Sequence, residues 1–134
     1  MGHWGVKSYE IDEANDAIDA GFDRVHGSVY DDLMDDRNPL TYDQVIAKLA
    51  NEKTLAAAIE ALEVEFGADR EQWDEVVRLA FAGIVVRHAE LKVPIDPQTK
   101  ALAISYLRDE AIEWEEATAR KIRREKEIGL LQKS

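Results

Sequence analysis

Cysteine is absent from all 134 residues, which excludes disulfides, thiolate zinc sites and cysteine nucleophiles together and fits a reducing compartment. Long apolar runs are also missing. No stretch approaches the roughly 20 residues that a membrane span requires, and the opening MGHWGVKSYE lacks the basic-then-apolar order of a secretory signal. The expectation is a cytoplasmic protein with no membrane partner. Catalytic signatures are missing as well: there is no glycine-rich phosphate loop, no Gly-x-Ser-x-Gly elbow and no His-Glu-x-x-His. With only three histidines, His3, His26 and His88, and no recognised ligand spacing among them, neither a tightly held transition metal nor another cofactor is expected.

What remains is 46% hydrophobic and 34% charged, a balance that buries a core and is too apolar for a disordered chain. A chain of this length reads as one domain, residues 1–134, with an N-terminal arm at 1–11 and a basic helix end at 119–134. The net charge of −11 repels a phosphate backbone, so nucleic acid is excluded as a partner. The charge is unevenly spread. Residues 10–36 hold ten acids, Glu10, Asp12, Glu13, Asp16, Asp19, Asp23, Asp31, Asp32, Asp35 and Asp36, against Arg24 alone. The tail holds Arg120, Lys121, Arg123, Arg124, Lys126 and Lys133 against Glu125 and Glu127.

Apolar residues recur at helical spacing along the whole chain, which predicts an all-α bundle of about five helices. A first helix starts near Asp12, turns Ala14, Ala17, Ile18, Phe22 and Val25 inward and stops at Gly27. A short one over Ser28 to Met34 is expected to bury Val29, Leu33 and Tyr30, and Asp35-Asp36-Arg37-Asn38-Pro39 breaks it. Thr41 with Gln44 forms a capping box ahead of Tyr42, Val45, Ile46 and Leu49. After an interruption at Asn51 and Thr54, the period resumes through Leu55, Ala58, Ile59, Leu62 and Phe66 to Gly67. The most regular stretch, capped by Asp69 with Gln72, runs from Trp73 to His88. Val93-Pro94-Ile95 connects it to a last helix that opens with Asp96 as cap and Pro97 at the first helical position. That helix is expected to reach about Glu127 and to lie antiparallel to its predecessor, with Trp73 level with Trp114. At 1.5 Å rise per residue it would be roughly 45 Å long, enough to protrude or to join a second copy as a homodimer.

The N-terminal string Trp4-Gly5, then Tyr9-Glu10-Ile11-Asp12-Glu13-Ala14-Asn15-Asp16, resembles a family of small uncharacterised bacterial proteins. These open with Trp-Gly, a short spacer, an aromatic and an acidic Asn-Asp-x-Ala helix start. The likeness covers about the first twenty residues and departs from the pattern at Ser8 and Ile11. It implies no reaction and no catalytic residue. Trp4-Gly5 acts either as an exposed contact for a partner or as an anchor in which the indole packs over the bundle.

Three further groups hold polar chemistry. Asp19 and Asp23, with His26, sit at helical spacing beside the first apolar stripe, either as ordinary solvated surface or as candidate ligands for a hard divalent ion. His88 falls in the apolar arc of the most regular helix, where a buried imidazole must find partners for its nitrogens. Glu110 lies toward the inward arc of the last helix: at the edge it is solvated, and if buried it needs a cation or a proton. The function most consistent with all this is a non-enzymatic protein-interaction or regulatory domain, inhibitor-like or immunity-like, presenting acidic surface to a protein partner or to itself. The alternative is a metal-dependent helical enzyme built on the carboxylate and histidine groups.

Overall fold

The computed structural model describes residues 5, 7–35, 37–111 and 116–133. Among these, the chain forms seven α-helices and no strand: α1 (Asp12–His26), α2 (Ser28–Met34), α3 (Tyr42–Leu49), α4 (Glu52–Phe66), α5 (Glu75–Glu90), α6 (Pro97–Arg108) and α7 (Ala117–Lys133), with one 3-10 turn over Arg70–Gln72. The all-α class is as expected, and the count is higher than five. No helix among the described residues is long and apolar enough to cross a membrane.

The local chemistry explains most of the boundaries. α1 stops at Gly27, whose φ of 55° an L side chain rarely adopts. Thr41 and Gln44 close the expected capping box on α3, and Asp96 caps α6 with Pro97 in its first turn. Asn51 and Thr54, expected only to interrupt a period, form a second capping box that starts α4. Asp69 caps the 3-10 turn rather than a long helix. Trp73 therefore lies ahead of α5, which Asp74 caps by accepting from the Val77 N–H.

α5 is the axis of the molecule. Leu79 through Val86, along with His88 and Ala89, are buried, so the middle turns of this helix have no solvent face and must be covered all round. α1 and α4 cover one side, and α6 and α7 pack on it elsewhere. α1 and α4 approach closely because small residues line their contact: a Cβ on Gly21 would lie 2.6 Å from the Ala58 backbone nitrogen. Beyond α1, α2 turns Tyr30 inward and leaves Val29 52% exposed. Tyr30 is inward as expected and Val29 is not, because the turn at Gly27 rotates the short helix relative to α1.

The expected single last helix is two helices. Its apolar period continues in phase past Leu107, yet α6 ends at Arg108. The Glu110 N–H returns only to Leu107 at 3.4 Å, and the Ala111 N–H donates to Glu75 Oε1 at 2.9 Å rather than to a carbonyl one turn back. A 45 Å rod therefore does not exist, and with it goes the geometric motive for a protruding dimer tail. The Trp4 anchor, and Trp114 with which Trp73 was expected to lie level, fall outside the described residues.

Gly21 gives a direct check of the α1–α4 contact. In an open helix, Gly→Ala stabilises by about 1 kcal/mol; here Gly21→Ala is expected to destabilise by about 1–3 kcal/mol, the usual cost of overpacking. Urea unfolding of the two proteins measures the sign.

Candidate functional site

α1 places its aspartates by simple periodicity. Asp12, Asp16, Asp19 and Asp23 are all exposed, and steps of four, three and four residues confine them to an arc of about 60° and a length of about 16 Å. Ala14, Ala17, Ile18, Gly21 and Phe22 occupy the opposite, buried face. Among the described residues, no ion pair reaches these four carboxylates: Arg24 reaches across to Glu60 at 3.0 Å, and Arg37 closes back on Asp35 at 2.9 Å. Asp19 accepts a 2.6 Å hydrogen bond from the Tyr30 hydroxyl. Burial and this carboxylate push the Tyr30 phenol well above its ordinary range.

The turn at Gly27 folds α2 back so that Asp31 comes beside Asp23. A hydrogen bond and repulsion between the two carboxylates raise Asp31 above the usual carboxylate value, with Asp32 and Asp19 adding to the repulsion. Val29, 52% exposed, and Met34, 37% exposed, flank these acids on α2. The resulting surface is acidic with apolar side chains at its edge.

The basic tail does not face this surface. Arg120 is fully buried, with Nη2 2.7 Å from Glu110 and Nη1 2.9 Å from Glu127. Arg123 pairs with Glu90 at 2.9 Å, and Arg124 donates to the Glu110 carbonyl. The tail, expected to protrude or to join a second copy, pairs three of its cations within the chain, Arg120 buried and Arg123 and Arg124 half-buried, while Lys121, Lys126 and Lys133 stay exposed. Glu110 is buried and takes the cation-paired option. Nothing in Arg120-Lys121-Ile122-Arg123-Arg124 marks one arginine for burial, because the signal is the glutamate it meets in three dimensions.

The remaining candidates are spread over the molecule. His26 donates from Nε2 to the Leu49 carbonyl at 2.8 Å, tying the end of α1 to α3. His88 is fully buried. Its Nδ1–H donates to the Ile84 carbonyl at 2.8 Å, which leaves Nε2 to accept from the Thr54 hydroxyl at 2.9 Å. The Phe22 ring stands between the two histidines, 6.3 Å from His26 and 5.8 Å from His88. Gly5 lies against the Glu10 carboxylate. Asp19, Asp23, His26, His88 and Glu110 thus do not converge, and among the described residues no group of three or more His, Cys, Asp or Glu is arranged to hold a metal ion.

A groove of about 600 Å³, open to solvent, runs between α4 and the start of α6 over Leu55, Ile59, Pro94 and Ile95. Its polar side chains already have structural work. Asp96 caps α6, and Arg70 pairs with Glu63 and packs over Phe81 with its guanidinium 5.0 Å from the ring centre. Comparison of the chain with protein-family models, with curated proteins and with solved structures finds no match.

The buried His88 sets a pH dependence. Desolvation, opposed by the Ile84 hydrogen bond and reinforced by Arg87, lowers its pKa from 6.5 to about 4. The unfolded chain binds this proton more readily, so the contribution is full above pH 6.5 and is lost as the pH falls through about 4. At 1.36 kcal/mol per unit the loss is about 3 kcal/mol. His88→Gln is expected to flatten stability between pH 7 and pH 4 by that amount relative to the parent protein, and parallel slopes in urea titrations would refute the assignment.

Proposed function

We propose that this is a non-enzymatic protein-interaction domain, inhibitor-like or immunity-like in action, whose acidic α1–α2 surface receives a basic protein partner. The observation that carries the reading is where the aspartates sit. Asp23 sits in the last turn of α1, where the helix dipole disfavours an anion. Aspartate is a weak helix former, like charges four apart repel, and Asp31 crowds Asp23 further. Four local penalties coincide at Asp23, and Arg120, Arg123 and Arg124 of the tail are engaged elsewhere. Charge kept against stability is what a surface shaped for an oppositely charged partner requires. Val29 and Met34 supply apolar contact beside it.

The resemblance at the N-terminus fits this reading in bringing no reaction with it. A metal-dependent reaction has less support, because the candidate carboxylates and histidines stand apart.

Two measurements test the proposal together. Asp23→Asn is expected to raise the melting temperature of the isolated protein by about 1–3 °C at low salt, with the gain shrinking as salt screens the stripe. The combined Asp12, Asp16, Asp23 and Asp31 to Asn variant is expected to lose salt-sensitive capture of basic proteins that the parent retains. A partner of acidic or neutral character, or capture undiminished in the variant, would sink the reading.

A further inference from the structure

α7 is held by charge at least as much as by apolar surface. Its buried side chains are Ile128 and Leu131 on the apolar side and Arg120 and Glu127 on the charged side. Glu127 is the joint. One carboxylate oxygen, Oε1, accepts from Arg120 at 2.9 Å. The other, Oε2, accepts from both the backbone N–H and the hydroxyl of Ser8, each at 2.9 Å. Ser8 is itself fully buried, 119 residues away in sequence.

Residues 7–10 form a turn, closed by the Glu10 N–H on the Lys7 carbonyl at 2.9 Å, and this strap fits with little slack. A Cβ on Gly83 would lie 2.5 Å from the Ser8 carbonyl oxygen and 2.8 Å from the Tyr9 nitrogen, so the strap runs backbone to backbone against α5. The Arg87 guanidinium lies 5.0 Å from the Tyr9 ring centre, and Arg123 of α7 pairs with Glu90. Gly83, Arg87 and Glu90 share one face of α5, and that face is covered jointly by the strap and by α7. The buried cluster of Glu110, Arg120 and Glu127 holds two carboxylates for one guanidinium, and the two Ser8 donors and Arg123 meet the excess negative charge. Withdrawing the strap strips two donors from a buried carboxylate, and withdrawing α7 leaves Ser8 with two unpaired buried polar groups.

We propose that the strap is a latch for α7: the two are held and released as one unit, with Ser8–Glu127 as the catch, and their joint release uncovers the Gly83–Arg87–Glu90 face of α5. The unit forms a local opening distinct from global unfolding, since α1, α4 and the rest of the α5 packing take no part in the catch.

Amide hydrogen exchange on the full chain tests this with two substitutions that loosen opposite ends of the latch. Ser8→Ala removes one of the two catch hydrogen bonds and is expected to speed exchange of the Ile128 to Leu131 amides about tenfold, the size one buried hydrogen bond commands. Leu131→Ala loosens α7 by an apolar route and is expected to speed exchange of the Ser8 to Glu10 amides in step, with α4 amides unchanged in both variants. The latch is refuted if α7 keeps its protection in Ser8→Ala, if the strap keeps its protection in Leu131→Ala, or if α4 loosens as much as either.

Discussion

The burial of α5 all round from Leu79 to Val86 is the constraint from which the rest of the architecture follows. A helix whose middle turns are apolar on every side can exist in water only as an axis, so the other elements are positioned by the part of α5 that they cover. Small residues on α1 and α4 let those two helices close tightly on one side. Gly83 admits the backbone of the turn over Lys7 to Glu10 on another, where a side chain on α5 would hold it away. The imidazole of His88 is the main polar group that the axis carries into the core, and it is satisfied along two directions: down its own helix to Ile84, and across to the capping threonine of α4. One hydroxyl therefore supports both the start of α4 and the protonation state of the core histidine.

Covering an apolar axis with a charge-rich terminal helix creates a second problem, which the Glu110–Arg120–Glu127 cluster resolves. Burying ions costs more than their attraction returns unless every remaining donor and acceptor is met. Here the guanidinium meets both carboxylates through its nitrogens, and the outer oxygen of Glu127 is met by Ser8. Directional bonds of this kind tolerate no sliding. A shift of α7 by one residue would turn Arg120 and Glu127 by about 100° and out of the cluster, so the charged groups set the register that two apolar side chains alone would leave loose.

What was legible in the sequence follows from which interactions are local. The Thr41–Gln44 box, the Gly27 stop and the Asp96–Pro97 opening are chemistry among near neighbours, and the structure has each where the residues predict it. The Asn51–Thr54 box carried the same signal, and its disguise was an apolar period on both sides. The end of α6 had no local signal at all: Leu107 and Ala111 stay in phase, with no glycine or proline between them. That helix ends because Glu110 is drawn to Arg120 and the Ala111 N–H to Glu75, both partners distant in sequence. The aspartate stripe of α1 was readable from spacing alone. The approach of Asp31 to Asp23 was not, since it depends on the angle of the chain at Gly27.

The tail's arginines change the meaning of the net charge. Read along the sequence, an acidic first quarter and a basic last tenth suggest two poles able to neutralise each other within a chain or between copies. In the fold, Arg120, Arg123 and Arg124 face Glu90, Glu110 and Glu127, and none of these acids belongs to residues 10–36. The cations are consumed in balancing carboxylates that the packing of α7 itself buries, so the compensation is internal to the C-terminal half. The field outside α1 is left with less opposing charge nearby than a linear count implies, and the charges that remain on α7 are mobile lysine side chains rather than fixed guanidinium forks. The aspartate stripe of α1 and the arginines of α7 are therefore separate features of the fold, and neutralising one does not draw on the other.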